Sequence, residues 1–239
     1  MAGENDLVAR LARHLLSFKG GRLPSERELA EHFTISRGQL REALAILEAL
    51  RVVERRAKSG ISLTSGSSSV EALALFAQSG ILLSAQEVYE AVEMRKIHEI
   101  TAVRLACERA TLENFDRLRA ILAASEERIA AHESIHAEDK NFHLEIVRAT
   151  QNSVFFKIVN IFYLMSEKRL PLYFSKPERV RQSHGEHLGI FDAIARRDAP
   201  RAMTLMGEHL AGVESYWQGL IGRPEDVTTD EAFDRAVGL

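Results

Sequence analysis

Cysteine, proline and glycine are scarce in this chain of 239 residues, and long apolar runs are missing. The single cysteine, Cys107, excludes an intrachain disulfide, and its apolar helical setting predicts a buried side chain in a reducing compartment. Only 5 prolines and 14 glycines interrupt the sequence, which favours helix. No stretch approaches the roughly 20 apolar residues that span a bilayer, and the N-terminus lacks the apolar segment of a signal peptide. We therefore expect a cytoplasmic protein without a membrane span.

Charge is distributed unevenly, although the formal net charge is only −3. Residues 1–64 hold 11 Lys and Arg against 8 Asp and Glu, a net charge of +3. The remaining residues hold 20 against 26, a net charge of −6. A small basic module joined to a larger acidic one can contact nucleic acid locally, without attracting it over the whole surface.

The stretch 36–50 has the pattern of a helix with two different ends. Ser36 and Gln39 make a capping box, and apolar residues recur at helical spacing in the second half. Arg37, Gln39 and Arg41 crowd the first turns. Such a helix can bury its C-terminal half and present Arg and Gln to base edges and phosphates, as a recognition helix does. An ordinary amphipathic helix with solvated arginines is the alternative.

The flanking sequence favours the recognition helix. Upstream, LPSERELAEHF contains a second capping box, Ser25 with Glu28, and the apolar face of a short helix. A tight turn joins the two helices, which is the helix-turn-helix arrangement. Downstream, the β-prone runs 52–56 and 61–64 flank a turn and predict a two-stranded wing with Arg55 near its tip.

Residues 23–64 resemble the winged helix-turn-helix of the GntR family of bacterial transcription regulators. The matching segments are LPSERELA, SRGQLREAL and VVERRAKSG, and they occur in the family's order and spacing. The resemblance and the residue pattern together give the expected DNA contacts Arg27, Arg37, Gln39, Arg41, Arg55 and Gly60. Two features depart from the family pattern: Gly38-Gln39 in the recognition helix bears on the operator sequence, and Lys58 bears on the stiffness of the wing tip.

Beyond the wing the sequence predicts only helices. Residues 65–69 have the Gly/Ser composition of a flexible linker, and residues 70–222 carry successive helical patterns that suit a bundle enclosing a cavity. The predicted helices are 70–81, about 84–109, about 111–132, 135–150, 153–170, 178–197 and 200–221. Residues 223–239 form a polar tail. The predicted fold class is mainly α, with a winged helix-turn-helix domain over 1–64 followed by an all-α domain.

Four polar side chains on three predicted helices suggest a metal site. Asp139 and His143 are four residues apart and so project from one face of a helix, whereas His187 and His209 lie on separate helices. One carboxylate and three imidazoles suit a divalent transition metal such as Zn²⁺, Ni²⁺ or Mn²⁺. Scattered, solvated histidines would give the same sequence pattern.

Residues 71–221 resemble the all-α FCD ligand-binding domain of the FadR-like GntR subfamily. The segments that carry the resemblance are EMRKIHE, DKNFH, EHLGIFDAI and APRAMTLMGEHL. In the metal-containing members, one Asp and three His at these motif positions bind the ion, and they match Asp139, His143, His187 and His209 without substitution. The resemblance implies that the all-α domain binds an effector, and we expect it also to dimerise the chain.

Arg95, in EMRKIHE, matches the family arginine that faces the effector pocket. A guanidinium near a metal suits a small carboxylate effector, which can bind the ion and pair with the arginine through two hydrogen bonds. A surface salt bridge with Glu99 or Glu93 is the alternative for Arg95. His184, three residues before His187, is predicted to contact the effector or to support the metal site.

Three functions are compatible with these features. The leading hypothesis is a ligand-responsive transcription regulator, in which a homodimer reads a pseudo-palindromic DNA operator and a small organic acid in the metal pocket changes its affinity. A metal-dependent hydrolase with an accessory DNA-binding module is the alternative, since an open metal site could activate water. A constitutive DNA-binding protein whose bundle only dimerises is the third.

Overall fold

The computed structural model describes residues 2–18, 23–56, 60–64, 72, 75, 85–166 and 170–221. The chain divides into two compact units, Met1–Leu82 and Leu83–Leu239, and each has a hydrophobic core of its own. Over the described ranges, none of the helices combines the length and the apolar composition that a membrane span requires.

The N-terminal unit is a winged helix-turn-helix, as predicted. Its elements are α1 (Ala2–Leu16), α2 (Glu26–Phe33), α3 (Arg37–Ala49), β1 (Val53–Arg56) and β2 (Gly60–Leu63). The two strands are antiparallel, with Val53 opposite Leu63 and Arg56 opposite Gly60. Helix α3 packs against α1, α2 and β1, so it is held on three sides.

Local chemistry accounts for these elements. Both predicted capping boxes form, so the Ser25 hydroxyl accepts from the Glu28 N–H, and the Ser36 hydroxyl accepts from the Gln39 N–H. These bonds satisfy backbone donors that the first turn of a helix leaves free. The apolar faces then meet in one core, which includes Leu11, Leu15, Leu29, Leu40, Leu44, Leu47 and Val53.

All regular elements in the described residues of the C-terminal unit are helices. Its elements are α4 (Ala85–Arg109), α5 (Leu112–Ala130), α6 (His136–Ala149), α7 (Ser153–Ser166), α8 (Leu170–Tyr173), α9 (Pro177–Ala195) and α10 (Ala199–Ile221). Helix α4 packs along α10 and also contacts α6, α7 and α9. Side chains from these helices form the main core, including Phe142, Ile146, Leu118, Ile190 and Met206.

The described ends of the predicted helices lie close to the prediction. Of the helix predicted over 153–170, residues 153–166 and 170 are helical, and residues 167–169 lie outside the described residues. The helix predicted to reach about His132 ends at Ala130, and His132 has a φ of 60°, the left-handed conformation in which helices commonly stop.

The boundary between the units also differs from the prediction. We expected the second domain to begin at residue 70, whereas the chain divides between Leu82 and Leu83. Ala72 is helical and fully buried in the N-terminal core. Gly/Ser composition indicates a linker, but it does not indicate which core the next apolar residues join. The linker 65–69, the tail 223–239 and most of the predicted helix 70–81 lie outside the described residues.

Arg197 holds the C-terminal end of α4. Its Nη1 donates to the Cys107 carbonyl at 2.9 Å, and its Nη2 donates to the Ala110 carbonyl at 2.7 Å. The guanidinium also lies 5.1 Å from the centroid of the Phe115 ring. Carbonyls at the end of a helix lack partners within the helix, and a cation there complements the helix dipole. Arg197 therefore joins the end of α9 to the end of α4.

We expect Arg197→Ala to lower the free energy of unfolding by about 2 kcal/mol, because a hydrogen bond to a charged group contributes roughly 1.5–3 kcal/mol. The neighbouring Arg196→Ala is the control, since Arg196 forms an exposed pair with Asp192 and its loss should change stability by less than about 0.5 kcal/mol. Urea unfolding followed by far-UV circular dichroism measures both. Equal losses in the two variants would contradict the capping role.

Candidate metal centre and DNA-binding surface

Four side chains from three helices meet in the interior of the C-terminal unit. Asp139 and His143 come from α6, His187 from α9 and His209 from α10. One ligand atom from each lies within 4.8 Å of the other three. All four side chains are buried, with at most 3% of their surface exposed. The structure therefore brings together the four predicted metal ligands, and the alternative of scattered, solvated histidines is wrong for them.

The ligand atoms face a single small volume. His187 Nε2 lies 3.3 Å from Asp139 Oδ1, and His143 Nε2 lies 3.6 Å from the same oxygen. The Nε2 atoms of His143 and His209 are 3.2 Å apart. Ser183 donates a hydrogen bond of 3.4 Å to Asp139 Oδ1 and so helps to orient the carboxylate.

This donor set fits a divalent transition metal. His187 Nε2 is buried and has no hydrogen-bond partner, an arrangement that is costly for a histidine with only a packing role. One carboxylate oxygen and three imidazole nitrogens make a shell that such ions accept. A metal site needs buried donor atoms that face one another and keep a lone pair free for the ion. His187 Nε2, which faces the other three donors, is such an atom.

Burial sets the protonation of His187 and His209, whereas at His143 the Glu99 carboxylate outweighs burial and raises the pKa. Burial lowers the pKa of His187 to about 3 and also lowers the pKa of His209, so both imidazoles are neutral at pH 7, as metal binding requires. Burial opposes ionisation of Asp139, but the adjacent imidazoles, His143 first, hold the pKa of its carboxyl well below the ordinary value. Asp139 is therefore anionic at pH 7.

Two acidic residues stand behind the cluster and orient its histidines. The Glu99 carboxylate contacts His143 Nδ1, and Glu186 Oε2 lies 2.6 Å from His209 Nδ1. A carboxylate on Nδ1 selects the tautomer in which Nε2 is free to bind a metal. Sequence reasoning missed Glu186 and considered Glu99 only as a possible ion-pair partner of Arg95, because a helical spacing does not reveal which neighbouring helix a carboxylate faces.

Arg95 lies next to this cluster and pairs with Glu99. Its Nε lies 2.6 Å from Glu99 Oε1, and its guanidinium lies 5.2 Å from the centroid of the Tyr163 ring. The Tyr163 hydroxyl also donates to Glu99. The alternative hypothesis, a surface salt bridge of Arg95 with Glu99 or Glu93, named Glu99 correctly as the partner. The pair does not lie on the surface, since the side chain of Arg95 is 11% exposed and that of Glu99 is 1% exposed.

Two buried nitrogen atoms on the predicted effector residues have no hydrogen-bond partner. They are Nη2 of Arg95 and Nδ1 of His184. His184 is half-buried on α9, one turn before His187. No contact among the described residues joins its side chain to the four candidate ligands. A buried guanidinium with an unused donor points to a further acceptor, since buried donors are normally paired.

Three of the predicted DNA contacts are exposed arginines on the helix-turn-helix. Arg37 is the first residue of α3 and is exposed. Arg41 Nε lies 3.2 Å from Glu26 Oε2, and Arg27 Nε lies 3.9 Å from Glu31 Oε1. Exposed ion pairs are weak, so these arginines can exchange a carboxylate for a phosphate or a base edge at little cost.

The other three predicted DNA contacts are placed differently. The Gln39 side chain accepts hydrogen bonds of 3.0 Å from the N–H and the hydroxyl of Ser36, so it caps α3. Arg55 donates to Glu48 Oε2 from Nε at 2.9 Å and from Nη2 at 2.6 Å, which fastens β1 to α3. Gly60 has a φ of 83°, where a side chain would be strained. DNA contacts at all six positions remain predictions.

Two family models match the chain. The model described as bacterial regulatory proteins, gntR family, matches residues 4–63, and the model described as FCD domain matches residues 90–212. The chain belongs to the GntR family and carries an FCD domain. This confirms both resemblances and the predicted fold class.

The curated relatives are named as regulators. The regulator LutR of Bacillus subtilis is 31% identical over 205 residues, which cover 84% of this chain and 93% of LutR. The Uxu operon transcriptional regulator of Escherichia coli is 30% identical, over 82% of this chain and 77% of that protein. The repressor NanR of Cronobacter sakazakii is 28% identical, over 84% and 79%. This GntR/FCD protein is thus a transcriptional regulator and not an enzyme, and the hydrolase hypothesis is set aside.

Solved structures support the fold alone. Listeria monocytogenes Lar, described as controlling the agr system, matches with a TM-score of 0.64 at 18% identity, over 90% of this chain and 97% of Lar. Escherichia coli McbR/YncC matches with a TM-score of 0.54 at 17% identity, over 90% of this chain and 95% of that chain.

Metal content tests the cluster directly. We expect His143→Ala and His187→Ala each to lose bound divalent metal, since ligand removal leaves three donors and opens a cavity. His132→Ala is the control, because His132 is an exposed histidine at the end of α5 and should keep the wild-type metal content. Elemental analysis of the purified proteins after dialysis gives the metal-to-protein ratio. A wild-type ratio in both ligand variants would eliminate the site.

Operator binding tests the recognition helix. Arg37→Ala and Arg41→Ala should each weaken binding by roughly 1–3 kcal/mol if the lost contact is a bidentate base contact. Arg119→Ala is the control, an exposed arginine of the C-terminal unit. Fluorescence anisotropy with a duplex selected from a random library by the wild-type protein measures the affinities. If the double variant of Arg37 and Arg41 bound this duplex as tightly as the wild type, α3 would not be the recognition helix.

Proposed function

We propose that this regulator senses a small carboxylate in the C-terminal unit and that the bound carboxylate changes its affinity for a DNA operator. One observation carries the proposal. A buried cluster of one carboxylate and three imidazoles lies beside Arg95, a buried arginine with an unused donor. A cation site and a guanidinium that converge in a buried region are suited to an anionic ligand.

The cluster supplies one half of the proposed recognition. A divalent ion such as Zn²⁺, Ni²⁺ or Mn²⁺, held by the four ligands, would offer open coordination positions to a carboxylate oxygen. The protein fixes the direction of those positions, because Glu99 and Glu186 orient two of the imidazoles from behind. A rigid set of donors favours a ligand whose oxygens fit without rearrangement.

Arg95 supplies the other half. Glu99 and the ring of Tyr163 hold the guanidinium in place, and Nη2 remains available for a second oxygen of the ligand. The buried nitrogen of His184 could pair with a further polar group, such as a hydroxyl next to the carboxylate. We therefore propose a small organic acid, with a hydroxyacid or a dicarboxylate favoured over a simple fatty acid.

The N-terminal unit supplies the response. We propose that two chains form a homodimer and that each places the N-terminal end of α3 in the major groove of a pseudo-palindromic operator. An effector that binds one arrangement of the dimer more tightly than another raises the population of that arrangement. If the two arrangements bind the operator with different affinities, the observed affinity for DNA changes. Such a regulator acts where the chromosome lies, in agreement with the predicted cytoplasmic location.

A thermal-shift screen tests the proposed sensor. Metal-loaded protein is heated with acetate, lactate, malate, citrate and other small carboxylates, and a chelator-treated sample is the control. A ligand present at about 100 times its Kd stabilises by roughly 2.7 kcal/mol through mass action. We expect a shift that requires the metal. A complete absence of shifts, with an operator affinity that none of the acids changes, would favour the constitutive DNA-binding protein.

Replacement of Arg95 separates effector binding from metal binding. We expect Arg95→Ala and Arg95→Lys to keep the metal and to weaken the carboxylate identified by the screen by roughly tenfold or more, since lysine cannot make the bidentate pair. Arg104→Lys is the control, because Arg104 lies two to three turns away on the same helix and pairs with Glu108. Isothermal titration gives the affinities. An unchanged affinity in both Arg95 variants would remove the arginine from the effector site.

A further inference from the structure

The capping box of α3 limits what the Gln39 side chain can offer to DNA. Its Oε1 accepts from the Ser36 N–H and from the Ser36 hydroxyl, both at 3.0 Å. The Ser36 N–H can only donate, so the atom that faces it is the amide oxygen and not the NH2 group. An amide oxygen has two lone pairs, and here both are engaged. The side chain therefore keeps its NH2 group, with two N–H donors, for a further contact.

Gln39 lies where α3 would meet DNA. It is exposed in the first turn of the helix, and none of the hydrogen bonds among the described residues uses its Nε2. Arg37 and Arg41, two residues to either side, are also exposed. The predicted base and phosphate contacts thus flank an unused pair of donors.

Capping does not explain why position 39 is glutamine. In the other capping box of this chain, the Glu28 carboxylate accepts from the N–H and the hydroxyl of Ser25, both at 2.7 Å. A carboxylate at this position also complements the helix dipole, which an amide does not. The first turn of α2 contains two acidic residues, whereas the first turn of α3 contains none. Glutamate would therefore cap α3 at least as well as glutamine.

Gly38 points to a close partner at the same end of α3. Apart from the local helix backbone, a Cβ added there would meet only the Ser36 hydroxyl oxygen among the described residues, at an ordinary contact distance of 3.8 Å. Glycine is nevertheless less favourable than alanine within a helix. The described fold does not require a glycine at this position, but the close approach of a helix backbone to a ligand does.

The four bases differ in what they present to a donor. In the major groove, guanine presents the acceptors N7 and O6 and thymine presents O4, whereas adenine and cytosine each present an NH2 group. A glutamine usually reads adenine by donating to N7 and accepting from N6, which uses both polar atoms of its amide. With Oε1 engaged by Ser36, Gln39 lacks the acceptor for this pairing. Its NH2 group suits the keto bases, guanine and thymine.

We propose that Gln39 determines operator specificity by donating from its NH2 group to a keto base, guanine or thymine, and that Gly38 lets α3 approach the groove closely enough for this contact. The inference rests on the proposed function, since it requires α3 to lie in the major groove. It deepens that function by naming a chemical feature of the operator. In each half-site, one position on one strand should prefer a keto base because of Gln39.

Exchange of the amide for a carboxylate tests this contact and retains the cap. Gln39→Glu keeps a capping box of the kind that Ser25 and Glu28 form, but its side chain can only accept. The full-length wild type and the variant each select duplexes from one random library, and sequencing gives the base preferences. We expect the keto preference to become a preference for cytosine or adenine at one position, with the keto-to-amino ratio falling by roughly tenfold or more.

The ratio between bases is the readout, because the added negative charge weakens binding to every sequence. Glu28→Gln is the matched control, since it makes the reverse exchange in the other capping box and should leave every base preference unchanged. Thermal unfolding checks that each variant folds. An unchanged keto preference at every position in Gln39→Glu would overturn the inference.

A second substitution covers the case in which Gln39→Glu binds no duplex. Gln39→Met removes both polar atoms of the amide and should lose the keto preference at that one position. Retention of the preference would overturn the inference. Failure of the proposed function looks different, because the wild type would then select no common sequence, and this inference would fall with it.

Gly38→Ala tests the close approach. It should keep or raise the melting temperature, because alanine favours helix, yet weaken binding to the duplex selected by the wild type by roughly fivefold or more, as loss of one base contact does. Gly185→Ala is the control, an exposed helical glycine of α9 where an added Cβ meets nothing within 4 Å among the described residues. It should leave DNA affinity unchanged. A wild-type operator affinity in Gly38→Ala would overturn the role of Gly38.

Discussion

The C-terminal unit is organised around the burial of four candidate metal ligands, Asp139, His143, His187 and His209, where α6, α9 and α10 meet. Removing Asp139 and three imidazoles from water is costly unless each gains a partner. Glu99 and Glu186 provide partners on the outer nitrogens of two histidines, and a divalent cation would provide them on the inner side. The same Glu99 holds Arg95, so the requirements of the cluster also position the arginine. The contacts of Glu99 therefore serve both the packing of the buried cluster and the proposed effector site.

The two compact units place their charged side chains differently. The N-terminal unit is stabilised by capping boxes, a leucine-rich core and the pairing of Arg55 with Glu48. Arg27, Arg37 and Arg41 are exposed, and Arg27 and Arg41 form weak ion pairs. The C-terminal unit also buries a few charged groups, such as Glu99 and Asp139, and these are paired and oriented. Exposed, exchangeable charge suits a phosphate backbone, whereas fixed, buried charge suits discrimination among small anions.

Local sequence rules predicted much of this structure because their physical causes are local. Ser25 and Ser36 cap helices through residues three positions away, and Asp139 and His143 share a face because they are four residues apart. The features that sequence reasoning missed depend on contacts between different elements of the fold. Ala72 joins the N-terminal core, Glu186 contacts His209 from another helix, and Arg55 pairs with Glu48. No spacing rule reveals these pairs.

The most direct measurement is the operator affinity of metal-loaded and metal-stripped protein, each with and without a carboxylate that stabilises the loaded form. The account predicts that the carboxylate changes the affinity for DNA only when the metal is present, and that His187→Ala behaves like stripped wild-type protein. An equal effect of the carboxylate on the loaded, stripped and His187→Ala proteins would contradict it, because the ligand would then act at a site that does not involve Asp139 and the three histidines.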